Sequence, residues 1–382
     1  MENKFLINQN KKECNGCGIC AQVCPKNAIT MKEDEEGFFY PVIDKEKCIK
    51  CNRCLKICSN YNYSKNMSKA YMAINKNKNE LEKSASGGMF YILAKEIIKR
   101  NGVVFGVKYD ENLKAYHGQA ETLEECKEFQ GSKYVRSDLK DSLQKAKNFL
   151  SEDRYVLFTG TPCQCNALKV FLNKDYEKLI TCEIICHSNP SYKVLKKYIE
   201  KIEENKNKKI VDIQFRTKAN GWRNQTPLII YEDGEKEFEN SYFKAFVSEL
   251  LGRPSCHNCK FASLNRVADF TIGDLWGVNK IVNNIKDDDT GISLFLVNSN
   301  KAKSIFEGIE DSIMYQEINI DEAFKYNHNK NVPINKNRDK FFEKMNKGED
   351  IIYLMKKYSK DPISLTIKIK IKRLVKKILN KR

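Results

Sequence analysis

The 382-residue sequence lacks several features that would assign it to a common functional class. It has no run of about 18 apolar residues, which excludes an evident membrane-spanning helix, and its first residues are too polar for a secretion signal. It has no G-x-G-x-x-G motif, so an ordinary Rossmann dinucleotide site is unsupported. Its net charge is +17, yet no helix-turn-helix, RNA-binding or zinc-finger pattern accompanies that charge, which argues against nucleic-acid binding.

Cysteine, in contrast, is abundant: the chain has fifteen, and eight of them form an internal repeat. The spacing C-x2-C-x2-C-x3-C occurs twice, with an offset of 34 residues. In two-cluster ferredoxins with this spacing, the fourth cysteine of each run ligates the cluster of the other run. The repeat therefore predicts one 4Fe–4S cluster on Cys14, Cys17, Cys20 and Cys58, and a second on Cys48, Cys51, Cys54 and Cys24.

Zinc is the alternative metal, because zinc is often held by pairs of C-x2-C. Two complete runs of four cysteines are unusual for zinc, and Pro25 follows the first run as it does in bacterial ferredoxins. The second run has Ser59 in place of that proline. Short strands at 28–31 and 38–43, joined by an acidic turn, complete a predicted ferredoxin domain over residues 1–64.

After a polar linker at 60–69, the chain alternates between strand and helix patterns. This alternation predicts an α/β core over residues 65–345, with a largely parallel but mixed sheet, so that the fold class is α+β / α/β. Beyond about residue 321 the sequence is charged and irregular. Residues 346–382 are predicted to be a basic tail, whose last twenty residues carry eight Lys or Arg and no acid.

Four further cysteines stand where open α/β sheets place their sites. Cys163 and Cys186 follow predicted strands, and Cys256 and Cys259 form a C-x2-C pair. These four are candidate ligands for a third cluster or for zinc, and the alternative is that they are buried structural thiols. The remaining three cysteines are assigned to that structural class, although two of them lie near proposed ligands: Cys126, Cys165 and Cys182.

Three glycine-containing loops in the core are candidate anion sites. Residues 86–88 begin a predicted helix, whose free amides favour a phosphate. Residues 130–134 add a cation and a phenol, and residues 159–161 follow a strand. Each loop alone is commonly just a turn or a helix cap, but together they indicate a phosphate-bearing redox cofactor.

On these motifs the core resembles the β-subunit family of coenzyme F420 hydrogenases and dehydrogenases, to which ferredoxin-dependent reductases of the chlorophyll pathway are related. The resemblance rests on five stretches: residues 84–90, 131–137, 159–164, 185–188 and 253–277. It implies a noncovalent FAD, and a core 4Fe–4S cluster on Cys163, Cys186, Cys256 and Cys259. It also implies FAD contacts at Ser86, Gly87, Gly88, Ser132, Lys133, Tyr134, Thr161 and Gly273. Ser188 departs from the glycine of many relatives.

Three residues are candidate catalytic groups. His187 stands beside a proposed cluster ligand, and it is interpreted either as a partner of the cluster, the flavin or a transferred proton, or as a capped loop histidine. Lys133 would face the flavin, unless it lies on a surface loop. Asp274 would act on the substrate, unless it only caps the turn before Trp276.

The sequence therefore predicts an iron–sulfur flavoprotein oxidoreductase. Electrons from a ferredoxin or flavodoxin-type donor would pass through 4Fe–4S clusters to FAD for hydride reduction of an organic substrate, with a polysaccharide-related one among the options. The first alternative is an electron-transfer β-subunit of a larger hydrogenase or dehydrogenase complex without its own substrate. The second is a non-catalytic zinc-binding interaction protein.

We expect the protein to be cytoplasmic or to lie at a membrane surface, with a small-molecule substrate and no nucleic-acid partner. The pattern of residues 367–379 suits peripheral contact of the basic tail with an anionic membrane. The alternative is a solvated tail. The positive charge would also attract an acidic electron donor to the N-terminal domain.

Overall fold

The computed structural model of the protein describes residues 6, 10–58, 68–283, 285 and 287–359. Most of the predicted linker, and the basic end of the tail with its predicted membrane contact, lie outside these residues. The described strands are β1 (Ile29–Glu33), β2 (Phe39–Ile43), β3 (Lys69–Asn75), β4 (Val103–Tyr109), β5 (Ala115–Ala120), β6 (Val156–Gly160), β7 (Leu179–Ile184), β8 (Ile210–Gln214), β9 (Leu228–Tyr231), β10 (Lys236–Phe238), β11 (Phe270–Asp274), β12 (Ser293–Val297) and β13 (Ile313–Ile318).

The α-helices of the same ranges are α1 (Ile19–Gln22), α2 (Arg53–Cys58), α3 (Lys78–Lys83), α4 (Met89–Lys99), α5 (Leu123–Cys126), α6 (Ser142–Ser151), α7 (Pro162–Leu172), α8 (Tyr192–Lys206), α9 (Ser241–Val247), α10 (Val278–Ile281), α11 (Asn300–Glu307), α12 (Ile320–Phe324), α13 (Arg338–Asn346) and α14 (Ile351–Tyr358). In this part of the chain, no helix is both long and apolar enough to cross a membrane.

The N-terminal domain is an antiparallel hairpin of β1 and β2, with α1 before it and α2 after it. Asp34 closes the hairpin turn, because its carboxylate accepts from the amides of Glu36 and Phe38 at 3.1 and 2.9 Å. Cys20 lies on α1, and Cys54 and Cys58 lie on α2. The short helices therefore carry cysteines of both repeats.

The core is built on an eight-stranded sheet with the order β13-β3-β12-β11-β7-β6-β4-β5. β4, β6, β7 and β11 run parallel to one another, and the remaining neighbours pair antiparallel. The sheet is thus mixed, as predicted, and its parallel part is four strands wide. Sequence patterns missed β3, β5 and β13, which extend the sheet at both sides.

Both faces of the central strands are covered by helices. All five residues of β6 and of β12 are buried, as expected for strands packed on two sides. Apolar residues of α4 and α11 cover one face, and those of α6 and α7 cover the other. The carboxyl ends of β6 and β7 lie at the same edge of the sheet. Residues 161–163 follow β6 there, and residues 185–189 follow β7.

A second layer joins the three-stranded sheet β10-β9-β8 to α8, α9, α13 and α14. Phe341 and Phe342 of α13 and Leu354 and Met355 of α14 are buried in the same apolar cluster as Tyr198 of α8. Residues 346–359 therefore pack with the core, which differs from the tail predicted to begin at residue 346. The charges between these apolar positions hid the two helices from the sequence pattern.

Arg253 fastens the N-terminal domain to the core. Its side chain is only 1% exposed, and it donates from Nε to the carbonyl of Cys14 at 2.8 Å and from Nη2 to that of Phe39 at 2.9 Å. Its guanidinium also lies over the rings of Phe38 and Tyr40. The loop of the first cysteine repeat is thereby held against the segment that carries Cys256.

Candidate functional site

The first predicted cysteine group lies where the N-terminal domain meets the core. Burial raises the pKa of Cys20, and the thiolates of Cys17, Cys14 and Cys58 raise it further. Burial also raises the pKa of Cys17 to about 12, with Cys14 and Cys58 again contributing. Because such charges act at short range, three cysteines of the first repeat and the last of the second form one group.

The second predicted group lies on the solvent side of the domain. Burial raises the pKa of Cys54, and the nearby Cys24 and Cys48 raise it further. The amide of Ala28 donates to Cys24 Sγ at 3.3 Å. Cys51, the remaining member, is exposed. The structure thus brings the last cysteine of the first repeat to the second repeat.

The four core cysteines line a single cavity of about 70 Å³. Cys163 lies in the first turn of α7, where Thr161 Oγ1 is 3.1 Å from its Sγ. Cys186 follows β7, and a 3-10 helix from Pro254 to Asn258 carries Cys256 and leads into Cys259. Burial raises the pKa of Cys186 well above its usual range, and the other three thiolates raise it further.

The residues of these groups fit iron–sulfur clusters. Among the described residues, no three His, Cys, Asp or Glu side chains are arranged to hold a single metal ion. A 4Fe–4S cluster is larger than one ion, so its four thiolates stand further apart. Beside the first group, Arg253 Nη1 is buried without a hydrogen-bond acceptor, and a Cβ at Gly16 would come within 2.8 Å of it. A donor so placed suits a cluster sulfur.

The three other cysteines lie elsewhere. Cys126 and Cys182 are buried in the apolar cluster on one face of the sheet, and Cys165 is buried in the cluster on the other face. Cys165 Sγ donates to the carbonyl of Cys182 at 3.7 Å. These positions agree with the structural role assigned to them from sequence.

A cleft of about 500 Å³ opens at the carboxyl edge of the sheet. Its walls include seven of the eight predicted FAD contacts: Ser86, Gly88, Ser132, Lys133, Tyr134, Thr161 and Gly273. Gly88 has φ +82 at the N-cap of α4, so the left-handed turn there favours glycine. Gly87 does not line the cleft. Its amide donates to Ser293 Oγ at 2.9 Å, and a Cβ would lie 2.4 Å from the carbonyl of Ala73.

The cleft and the cysteine cavity share a wall. Thr161, Cys186, His187 and Ser188 line both. The third cysteine group therefore lies directly beside the cleft, so a cluster there would be a neighbour of any ligand in it.

Both ring nitrogens of His187 face protein groups. Nδ1 lies 2.8 Å from His328 Nε2, and Nε2 contacts the carboxylate of Glu249. Glu249 is buried, and burial together with His187 lowers the pKa of His328 to about 4. The imidazole is thus oriented by its neighbours, and its predicted part in catalysis stays a prediction.

The ammonium group of Lys133 turns back on its own loop. It donates to the carbonyls of Glu128 and Gln130 at 2.9 and 2.7 Å. Burial lowers its pKa to about 8. The side chain therefore lines the cleft while its charge stabilises the loop that carries Ser132 and Tyr134.

Asp274 is an acceptor for buried donors in the cleft wall. Its carboxylate accepts from both terminal nitrogens of Arg216 at 2.8 and 3.0 Å and from Trp222 Nε1 at 2.7 Å. Trp222 stacks on Trp276 with a centroid distance of 4.8 Å. Asp274 is placed to hold Arg216 and the tryptophan pair, a role not considered from sequence. Its action on a substrate stays a prediction.

Sequence reasoning missed several residues of this region. They are Arg136, Arg216, Glu249 and His328, together with the buried contacts of Arg253. Arg136 lies inside a stretch that carried the resemblance, and Arg253 stands three residues before Cys256. The sequence positions of Arg136 and Arg253 could therefore have identified them as site residues. Nothing in the sequence links Glu249 or His328 to His187.

Comparison with known proteins agrees with this architecture. Residues 153–323 match the family described as the C terminus of the coenzyme F420 hydrogenase/dehydrogenase β subunit. Residues 13–61 match a 4Fe–4S dicluster domain, and they include all eight cysteines of the repeat. The resemblance and the dicluster domain expected from the motifs are therefore confirmed.

Individual proteins are similar over larger or smaller parts of the chain. The F subunit of the F420H2 dehydrogenase of Methanosarcina mazei is 24% identical over 280 residues, covering 69% of this chain and 75% of that protein. An uncharacterized ferredoxin of Methanocaldococcus jannaschii is 39% identical over 49 residues, covering 13% of this chain and 62% of that protein. These relatives support an iron–sulfur protein of an oxidoreductase family.

A solved structure of the F420-reducing [NiFe] hydrogenase complex from Methanosarcina barkeri also matches. The match has 18% identity and a TM-score of 0.46, and it covers 76% of this chain and 91% of the other.

Proposed function

We propose that the chain is an iron–sulfur electron-transfer subunit of a larger redox complex of the hydrogenase or dehydrogenase kind. The observation that carries the proposal is the succession of three cysteine groups. The group with exposed Cys51 faces solvent, the group of Cys14 meets the core, and the group of Cys163 adjoins the cleft. The Methanosarcina mazei relative is by its name part of a dehydrogenase, which supports the same proposal.

The twelve cysteines of these groups would hold three 4Fe–4S clusters, which supply one-electron transfer when bound. Cys17 packs against the same apolar cluster that contains Cys163, so apolar side chains connect the inner two groups. Arg253 fixes the Cys14 loop on the core. The chain itself thus contributes a fixed spacing between the cysteine groups.

We also propose that the cleft holds FAD, whose flavin accepts electrons singly and releases them as a hydride. A volume of about 500 Å³ is typical of sites for such ligands. The loop ahead of α4 presents Ser86 and Gly88 to the cleft, and the opposite wall presents Ser132 and Tyr134. The amides at the start of α4, an 11-residue helix, favour a phosphate.

The cleft also favours a second candidate, in which the chain itself reduces an organic substrate. Beyond the predicted FAD contacts, its wall contains Phe243, Phe246 and Trp276 and the guanidinium of Arg216. Such a surface suits a planar or anionic small molecule. Under this candidate, the isolated chain turns over substrate with a dye as electron donor. Under the main proposal, it only relays electrons to dyes or partner subunits.

The entry of electrons is proposed at the exposed Cys51 group. Lys45, Lys47, Lys50 and Arg53 around it are exposed. This charge suits an acidic ferredoxin, flavodoxin or partner subunit. Reduction by such a donor is therefore expected to slow as ionic strength rises, because salt screens the attraction.

The test is anaerobic purification, followed by assay of iron, acid-labile sulfide, zinc and released flavin per chain. About twelve iron with one FAD supports the proposal, since three cubanes contain about twelve iron. Cys256→Ser should then lose about four iron, whereas the buried Cys182→Ser should lose none. A content of about eight iron atoms per chain without flavin would contradict both the third cluster and the FAD. Zinc without iron would favour the zinc-binding alternative.

A further inference from the structure

Arg136 occupies the gap between the first and third cysteine groups. Its Nη1 lies 3.8 Å from Cys163 Sγ, and the residue lines the same cavity as Asn15 of the N-terminal domain. Its amide donates to the carbonyl of Pro190 at 3.0 Å, so the backbone is fixed beside the loop that follows Cys186. The side chain therefore stands between two candidate cluster sites.

The charge of Arg136 is balanced differently from that of two buried arginines of the core that form ion pairs. Arg216 pairs with Asp274, and Arg266 pairs with Glu183. Within the described ranges, no carboxylate oxygen comes within 4.0 Å of the Arg136 guanidinium. Instead the thiolates of Cys163, Cys17 and Cys256 raise its pKa against the opposing effect of burial. Its electrostatic partners are thus cysteines of both groups.

We propose that Arg136 is a positioning residue for electron transfer, which raises the reduction potentials of the Cys14 and Cys163 sites together. The inference rests on the proposed function, because both sites must hold clusters. Each reduction adds one negative charge, and a nearby cation in a poorly screened interior favours the more negative state. One shared cation therefore shifts both potentials in the same direction.

The step that Arg136 would influence is the transfer of one electron between the two sites. One electron leaves the site of the Cys14 group and arrives at the site of the Cys163 group. The first site is thereby oxidised by one electron, and the second is reduced by one electron. No bond forms or breaks, and no proton is needed. The guanidinium is always charged at ordinary pH, so its influence is expected to be independent of pH.

The experiment is a redox titration of the anaerobically purified full chain, monitored by electron paramagnetic resonance, with Arg136→Gln and Arg136→Lys. In the Gln variant we expect both sites to become at least tenfold harder to reduce, which is about 59 mV for a one-electron couple. The Lys variant should retain most of the parent potentials. The site of Cys24, Cys48, Cys51 and Cys54 should not shift, and it serves as the internal control.

Arg154→Gln is the matched surface control. It removes the same charge at the opposite end of β6, where Arg154 pairs with Glu121 at 2.8 Å. Arg136→Met is the second neutral variant, to be used if the Gln variant loses iron. Full iron content with unshifted potentials in a neutral variant would overturn the inference and leave the proposed function standing. Parent protein with only about eight iron would instead remove the third site, and with it both proposals.

Discussion

Arg338 of α13 donates from Nη1 to the carboxylate of Glu36 in the N-terminal hairpin turn, at 2.9 Å. Its Nε donates to the carbonyl of Gly252 at 2.9 Å, one residue before Arg253. The side chains of Arg338 and Glu36 are only 6% and 13% exposed. One buried ion pair therefore joins the C-terminal helices, the ferredoxin domain and the loop that leads to Cys256.

Replacing Arg338 by Met should destabilise the protein by about 3 kcal/mol, because it leaves the Glu36 carboxylate buried without its partner. The ferredoxin domain should also become more accessible to protease. Thermal unfolding and limited proteolysis of the purified protein measure the two effects. Lys347→Met is the control, since Lys347 pairs with Glu343 on the open surface and its loss should not be measurable. Equal melting of both variants would contradict the role of Arg338.

Gly16 is expected to tolerate no side chain, for two separable reasons. Its φ of +69 disfavours any L-residue by about 1–2 kcal/mol, and a Cβ would lie 2.8 Å from Arg253 Nη1. Gly16→Ala should therefore lower both the melting temperature and the iron content. Gly348→Ala is the matched control, because Gly348 has φ +84 but nothing within 4 Å of its Cβ position. Equal iron loss in both variants would show that the contact between residue 16 and Arg253 does not determine the iron content.

His117 makes stability depend on pH. Burial lowers its pKa to about 4, although its Nε2 lies 3.0 Å from the carbonyl of Thr159. In the unfolded chain the pKa is about 6.5. Between these values only the unfolded state takes up the proton, so stability falls as pH drops below about 6.5 and stops falling near pH 4.

Between pH 6.5 and pH 5 this loss should reach about 2 kcal/mol. The measurement is the melting temperature of the parent and of His117→Gln at several pH values. The variant removes the titrating group, so the difference between the two proteins should shrink as pH falls. A constant difference across this range would show that His117 does not titrate as expected.

Much of the site followed from spacing along the chain. The cysteine repeat predicted the exchanged pairing because a short loop brings three thiols together and leaves the fourth for the other repeat. The strand ends at Cys163 and Cys186 predicted one edge because parallel strands carry their following loops to the same side. The hairpin of β1 and β2 followed from apolar runs around an acidic turn.

Other parts depend on contacts between distant segments. The strand β3 was missed because its short apolar run directly follows a polar linker and pairs with β12 and β13, which are more than 200 residues away. Arg216 and Asp274 are 58 residues apart, and their ion pair exists only after the second layer packs on the sheet. A local sequence pattern assigns Arg216 and Asp274 to different elements, so their ion pair was not predicted.

That pair gives a last prediction, which separates a catalytic Asp274 from a structural one. Asp274→Asn removes the charge that balances Arg216, whose side chain is 6% exposed, so it should cost about 3 kcal/mol of stability and weaken flavin retention. A proton-donating Asp274 would instead lose turnover with its melting temperature and flavin content unchanged. The exposed Asp153, which pairs with Lys178 at 2.6 Å, provides the control Asp153→Asn. Because Trp222 and Trp276 stack beside Asp274, the tryptophan fluorescence should also change in Asp274→Asn and not in the control.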